Sequence, residues 1–191
     1  RSYQSVHARA RLGYMPEHDC LPSVGSASEF IDHMAQVSGL PPKYSRTRAA
    51  DVLRHVGLDE ERYRAIREYS TGMKQRVKLA QALVHDPVMV LLDEPTAGLD
   101  PGGREEMLEL IRRTGRDFGI SIVLSSHLLG EVERTCDRIV VLDGGRVVRE
   151  GSVSDLTRET QSIFIEVDGN RDRLMAVLES RGIHATAEGV S

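Results

Sequence analysis

Val88-Met89-Val90-Leu91-Leu92-Asp93-Glu94-Pro95-Thr96 decides the fold. Its first five residues form a continuous apolar run, which suits a strand buried on both faces and implies a parallel sheet with helices on either side. The run ends in two adjacent carboxylates and a proline. Acids at the end of a buried strand are costly unless a cation or a reaction uses them, and the carboxyl edge of such a sheet is where α/β proteins bind ligands. A strand end capped by acids and a proline turn is the simpler alternative, and the acid pair alone does not exclude it.

The flanking pattern supports the sheet. Downstream, a helix from Gly102 to about Phe118 leads to a second apolar run, Ile120-Ser121-Ile122-Val123-Leu124. A short helix and a third run, Ile139-Val140-Val141-Leu142, come next. Asp143-Gly144-Gly145 then turns into Arg146-Val147-Val148, a hairpin signal. Alternating strands and helices are the α/β pattern. Upstream, a helix from about Gly72 to Val84 carries Met73, Val77, Ala80 and Leu83 on one face. Ser26-x-x-Glu29 is a capping box that starts a helix running to about Ser38. A second helix follows Ser45, with Ala49, Val52, Leu53 and Val56 on one face and Gly57 as its stop. Residues 24–69 thus read as helical with no strand, and Leu12-Gly13-Tyr14-Met15-Pro16 as a short strand before them.

After Gly151 the character changes. Ile163 to Val167 reads as a strand, Asn170 to Arg181 as a helix capped by Asn170 and stopped by Gly182, and Ile183 as the start of another strand. We therefore expect a main domain over 1–151 and the start of a truncated α+β extension over 152–191.

Composition narrows the class. The chain has 191 residues, 40% hydrophobic and 28% charged, with a net charge of −4. A nucleic-acid binder normally shows a basic face, so no nucleic-acid partner is expected. Cys20 and Cys136 fit neither a metal spacing nor a disulfide framework. The longest apolar run, Val88 to Leu92, falls far short of the roughly 20 residues of a membrane span. The chain opens on Arg1 and reads as a piece of a longer protein.

Ser70-Thr71-Gly72-Met73-Lys74-Gln75-Arg76 opens the helix that precedes the acid-bearing strand. Small residues at a helix start expose backbone N–H groups to the positive end of the dipole, which suits a phosphate. An ordinary N-cap at Ser70 explains the segment equally well. Its spacing favours the phosphate reading: Arg76 lies eleven residues before Pro87, which leads into the strand. An Asp in the place of Asp93 helps hold Mg²⁺ in nucleotide hydrolases, and a following Glu can act as general base on water.

These segments together resemble the ATP-binding cassette (ABC) ATPases. Tyr69-Ser70-Thr71-Gly72-Met73 resembles the signature Leu-Ser-Gly-Gly-Gln, Asp93-Glu94-Pro95 resembles Walker B, and Ala97-Gly98-Leu99-Asp100 resembles the D-loop. Ser125-Ser126-His127 is similar to the switch-histidine loop, Tyr14-Met15-Pro16-Glu17 to the Q-loop, and Asp143 to Gly151 to the closing hairpin. The resemblance covers about residues 11–151 and is strongest to bacterial exporter ATPases with a small C-terminal extension. It implies a P-loop-type parallel core with an inserted helical subdomain, about residues 24–84, but with its first strand and P-loop missing.

The resemblance also implies ATP and Mg²⁺ as ligands. Asp93 and Glu17 would face the metal, Glu94 would polarise water and His127 would contact the γ-phosphate. Ser70 and Gly72 would complete the site of a second ATPase subunit, with Asp100 in the D-loop beside the nucleotide. Glu17 would link the site to a transmembrane permease, which places the protein on the cytoplasmic face of the plasma membrane.

Three departures stand out. Glu17 replaces the usual Gln, Thr71 and Met73 replace a Gly and a Gln, and no Gly-x-x-x-x-Gly-Lys-[Ser/Thr] loop occurs in the chain. The 191-residue polypeptide by itself is therefore expected not to hydrolyse ATP. The alternative is a non-catalytic cassette acting through protein contacts. A DNA-repair ATPase of this superfamily would need a long coiled coil between Glu17 and Ser70, and there is no room for one.

Overall fold

Ser26 caps the first helix as the spacing requires. Its hydroxyl accepts from the Glu29 N–H, and the Glu29 carboxylate accepts from the Ser26 N–H at 2.8 Å. Helix α1 spans Ala27–Val37. The computed structural model describes residues 7–155 and 171–181. Helix α2 spans Pro42–His55 and so starts three residues before Ser45, where the sequence had suggested. Pro42 explains the shift: its φ is preset for a helix, and a first turn has no use for the N–H it lacks. Ser45 is buried inside α2 and donates to the Asp32 carboxylate on α1. Two 3-10 turns, Glu61–Tyr63 and Ile66–Glu68, connect to α3, Thr71–Leu83. Between residues 24 and 69 the only extended pairing is an isolated bridge, Ser26 to Ala65.

Strands β1 (Leu12–Met15), β2 (Met89–Asp93) and β3 (Ser121–Ser125) form a parallel sheet in that order, with β2 central. Helix α4, Pro101–Phe118, connects β2 to β3. The register puts Tyr14 beside Leu91, Leu91 beside Val123, and Asp93 beside Ser125. Because side chains alternate along strands, Gly13, Met15, Val90 and Leu92 share one face, and the last three are buried in the core with α3. Gly13 is required there, since a Cβ would lie 2.2 Å from the Ala82 carbonyl oxygen.

The other face departs from expectation. A strand buried on both sides was anticipated, yet Tyr14 and Val123 are each 52% exposed and Met89 is 37% exposed. No described helix covers this face, so β2 alternates between buried and open positions. Asp93 and Ser125 lie on the open side.

Helix α5 spans Leu129–Thr135. Strands β4 (Arg138–Asp143) and β5 (Arg146–Ser152) form a separate two-stranded hairpin. The third apolar run thus pairs with its own return strand and not with the parallel sheet. Gly144 and Gly145 have φ of 52° and 75°, the two left-handed positions that a tight hairpin turn needs. The chain divides into two compact units, Arg1–Ile139 and Val140–Ser191. Helix α6 spans Arg171–Ser180. Its expected cap Asn170, its stop Gly182 and the strands expected at 163–167 and from Ile183 lie outside the described residues. Among the described residues no helix is long and apolar enough to cross a membrane.

Candidate active site

The open face ends in a hydrogen-bonded chain built from all three parallel strands. Ser125, at the end of β3, donates to Asp93 Oδ1 at 2.7 Å and accepts from the Glu94 N–H at 3.1 Å. Tyr14 on β1 reaches Asp93 Oδ2 from the other side at 3.4 Å. Glu94 takes a left-handed φ of 45°, so the chain leaves β2 through an abrupt turn into Pro95. The carboxylate meets His127 there: the His127 N–H donates to Glu94 Oε1 at 3.1 Å, and Nδ1 lies 2.9 Å from the same oxygen. The Glu94 side chain is 18% exposed and that of His127 is 74% exposed. The carboxylate is sheltered while the imidazole fronts solvent.

A buried layer fixes the two loops together. Glu131, 5% exposed on α5, accepts through Oε2 from Thr96 Oγ at 2.8 Å and from Ser126 Oγ at 3.2 Å. Thr96 belongs to the turn after Glu94, and Ser126 to the loop that carries His127. One carboxylate therefore holds both sides of the Glu94–His127 contact.

The other predicted residues lie elsewhere. Ser70 caps α3 and accepts from the Met73 N–H at 3.3 Å, leaving the Thr71 and Gly72 N–H groups without an intrahelical acceptor. This helix start packs on the D-loop. Gln75 donates to the Ala97 carbonyl at 3.0 Å, and a Cβ built on Gly72 would lie 3.8 Å from Leu99. Asp100 is the exposed N-cap residue of α4 and makes no side-chain capping bond. Among the described residues, no hydrogen bond joins Ser70, Gly72 or Asp100 to Asp93, Glu94 or His127. Glu17 is exposed just beyond β1, and its backbone carbonyl accepts from Lys78 Nζ at 2.8 Å. Lys78 is buried, and that burial pushes its ammonium pKa down. The charges of Cys20, Asp19, Glu17 and Asp93 pull it back up.

Among the described residues no group of three or more His, Cys, Asp or Glu gathers to hold a metal. The donors at hand, the Asp93 carboxylate and the exposed Glu17, are hard oxygens. They fit Mg²⁺, which keeps several waters and binds through one or two carboxylates plus substrate phosphates. Asp93 would contribute such a ligand, with Glu17 as the further candidate. Chemically, Glu94 can accept a proton from water while His127 holds one of its oxygens.

The sequence reading gave no role to Glu131, Thr96, Lys78 or Gln75. Buried Lys78 and Glu131 left no signal in the chain, because each depends on a neighbour far away in sequence.

A parallel sheet whose central strand ends in an Asp-Glu pair against a histidine loop belongs to the nucleotide-binding α/β class. The profile of the ABC transporter family matches residues 1–97. The chain belongs to this family. It is 35% identical over 154 residues to the uncharacterized ABC transporter ATP-binding protein YxlF of Bacillus subtilis, covering 81% of this chain and 52% of that protein. It is 40% identical over 162 residues to the uncharacterized ABC transporter ATP-binding protein all4389 of Nostoc, covering 84% and 48%. The structure of cbiO1 from Clostridium perfringens, described as part of the ABC transporter complex cbiONQ, aligns with a TM-score of 0.73 at 26% identity, over 91% of this chain and 64% of that one. The chain spans about half the length of the curated relatives it matches.

Proposed function

We propose that the full-length protein hydrolyses ATP to ADP and phosphate and couples this to transport through a membrane permease. The observation that carries the reading is the Glu94–His127 contact beside Asp93, at the carboxyl end of the central strand. Glu94 accepts a proton from water as the water oxygen bonds to the γ-phosphorus; the bond from that phosphorus to the bridging oxygen breaks, and ADP leaves. His127 orients the carboxylate through Oε1 and presents its exposed ring edge towards the γ-phosphate. Ser125 holds Asp93, and with it the ligand for Mg²⁺. When bound, that ion neutralises charge on the transferring phosphoryl group.

Family membership and the name of the cbiO1 complex support the reading of the partners. A second ATPase subunit would receive Ser70 and Gly72 at its nucleotide, with Asp100 at the shared edge. A permease would sit against the Q-loop and the α1 region, holding the protein at the cytoplasmic face of the membrane. We assign the ATPase domain to 1–151, with the helical subdomain at about 24–84, and the extension to 152–191.

The test is Glu94→Gln in the full-length protein. Phosphate release should fall at least about a hundredfold, with ATP still binding in an equilibrium assay. Unchanged steady-state hydrolysis would sink the assignment.

A further inference from the structure

The loop after β1 is fastened to α3 at three successive turns of that helix. Lys74 Nζ lies 3.8 Å from Asp19 Oδ2, Lys78 Nζ donates to the Glu17 carbonyl at 2.8 Å, and Gln81 Oε1 lies 3.8 Å from Cys20 Sγ. Positions 74, 78 and 81 follow the i, i+4, i+7 spacing of one helix face. The three contacts are unequal. Lys74 and Asp19 are partly exposed, so that ion pair holds weakly. The Cys20 thiol is a weak donor. Lys78 is different: it is 4% exposed, and its charged donor ends on a backbone oxygen. Hydrogen bonds with a charged donor are stronger than neutral ones, and buried charges are kept paired.

We infer that Lys78 is a positioning residue that locks loop 16–21 to α3, so that the loop and the phosphate-facing end of the helix move as one body. Lys78 lies eight residues from Ser70, or about 12 Å along a helix at 1.5 Å per residue. A helix is stiff over that length. Displacing the loop at Glu17 therefore displaces the N–H groups at Thr71 and Gly72. The lock itself does not depend on the proposed ATPase activity, whereas its effect on turnover does.

Backbone NMR order parameters of residues 17–21 in the full-length protein test the lock directly. Lys78→Met keeps the stem and removes the donor, and should lower them from about 0.85 to below about 0.6. Lys78→Arg keeps a charged donor and should restore most of the order. Unchanged order parameters in Lys78→Met overturn the inference, as does a loss of order in a folded Lys78→Arg equal to that in Lys78→Met. Should Lys78→Met fail to fold, the double variant Lys74→Ala, Gln81→Ala removes the two weaker ties and leaves Lys78 in place, so the loop should stay near about 0.85; a fall below about 0.6 there would assign the lock to the weaker ties and overturn the inference. In the full-length protein, Lys78→Met should lower kcat about tenfold, with KM for MgATP within about threefold. A rise in KM at constant kcat would overturn the coupling while leaving the ATPase reading intact.

Discussion

His127 meets Glu94 twice on one atom: its backbone N–H and its Nδ1 both reach Oε1, at 3.1 and 2.9 Å. A proton on Nδ1 makes the imidazole a donor to the carboxylate and leaves Nε2 to face outward. The pair thus keeps one glutamate oxygen occupied and the other available for a water proton.

Removing the imidazole should therefore misplace the base without deleting it. His127→Ala in the full-length protein is expected to lower kcat by about a hundredfold, with KM for MgATP within about threefold. Steady-state kinetics decide this, and wild-type turnover would remove His127 from the site.

Ser125 joins Asp93 to the Glu94 backbone. Ser125→Ala strips a donor from the first and an acceptor from the second, at a cost of about 1 kcal/mol. The melting temperature of the chain should fall by about 3 °C. A melting scan in which the variant matches wild type would show that neither bond contributes.

Glu17 projects an exposed carboxylate just beyond β1. Glu17→Gln in the full-length protein should change the Mg²⁺ dependence of hydrolysis, since it removes negative charge near the metal's position. Titrating Mg²⁺ against rate is the measurement. Identical titrations and rates would return Glu17 to the ordinary surface.

His55 provides a pH test remote from the site. Its ring packs at a tilt against Phe118, with centroids 4.6 Å apart, and its Nε2 lies 2.8 Å from Thr114 Oγ. Burial lowers its pKa, with the nearby Arg113 adding to the effect, Asp117 opposing it and Arg48 adding slightly. A histidine depressed in the folded state binds fewer protons there than in the unfolded chain. Its contribution is therefore present above the ordinary histidine pKa of about 6.5 and is lost as pH falls below it. Between about pH 7 and about pH 5, the wild-type melting temperature should drop more than that of His55→Gln. Parallel drops would exclude the histidine.

Much of this architecture was legible because local chemistry wrote it. The Ser26–Glu29 box, the Gly144–Gly145 turn and the acid pair at the end of β2 each need only a few adjacent residues, and each formed where expected. The start of α2 was missed because Ser45 was taken as its opening, although Pro42 presets a helical φ three residues earlier. The open face of the sheet was missed because five apolar residues in a row look the same whether one side or both sides are covered. Glu131 and Lys78 were invisible for a third reason: Thr96 and the Glu17 carbonyl, which they bind, lie 35 and 61 positions away along the chain.

The left-handed backbone at Glu94 carries an evolutionary consequence. Glycine adopts that conformation freely, whereas a side-chain-bearing residue held there carries roughly 1–3 kcal/mol of strain. Drift under selection for folding alone would favour glycine at position 94. Glu94→Gly would therefore relax the backbone as it removes the base, and stability and chemistry should move in opposite directions at this one position.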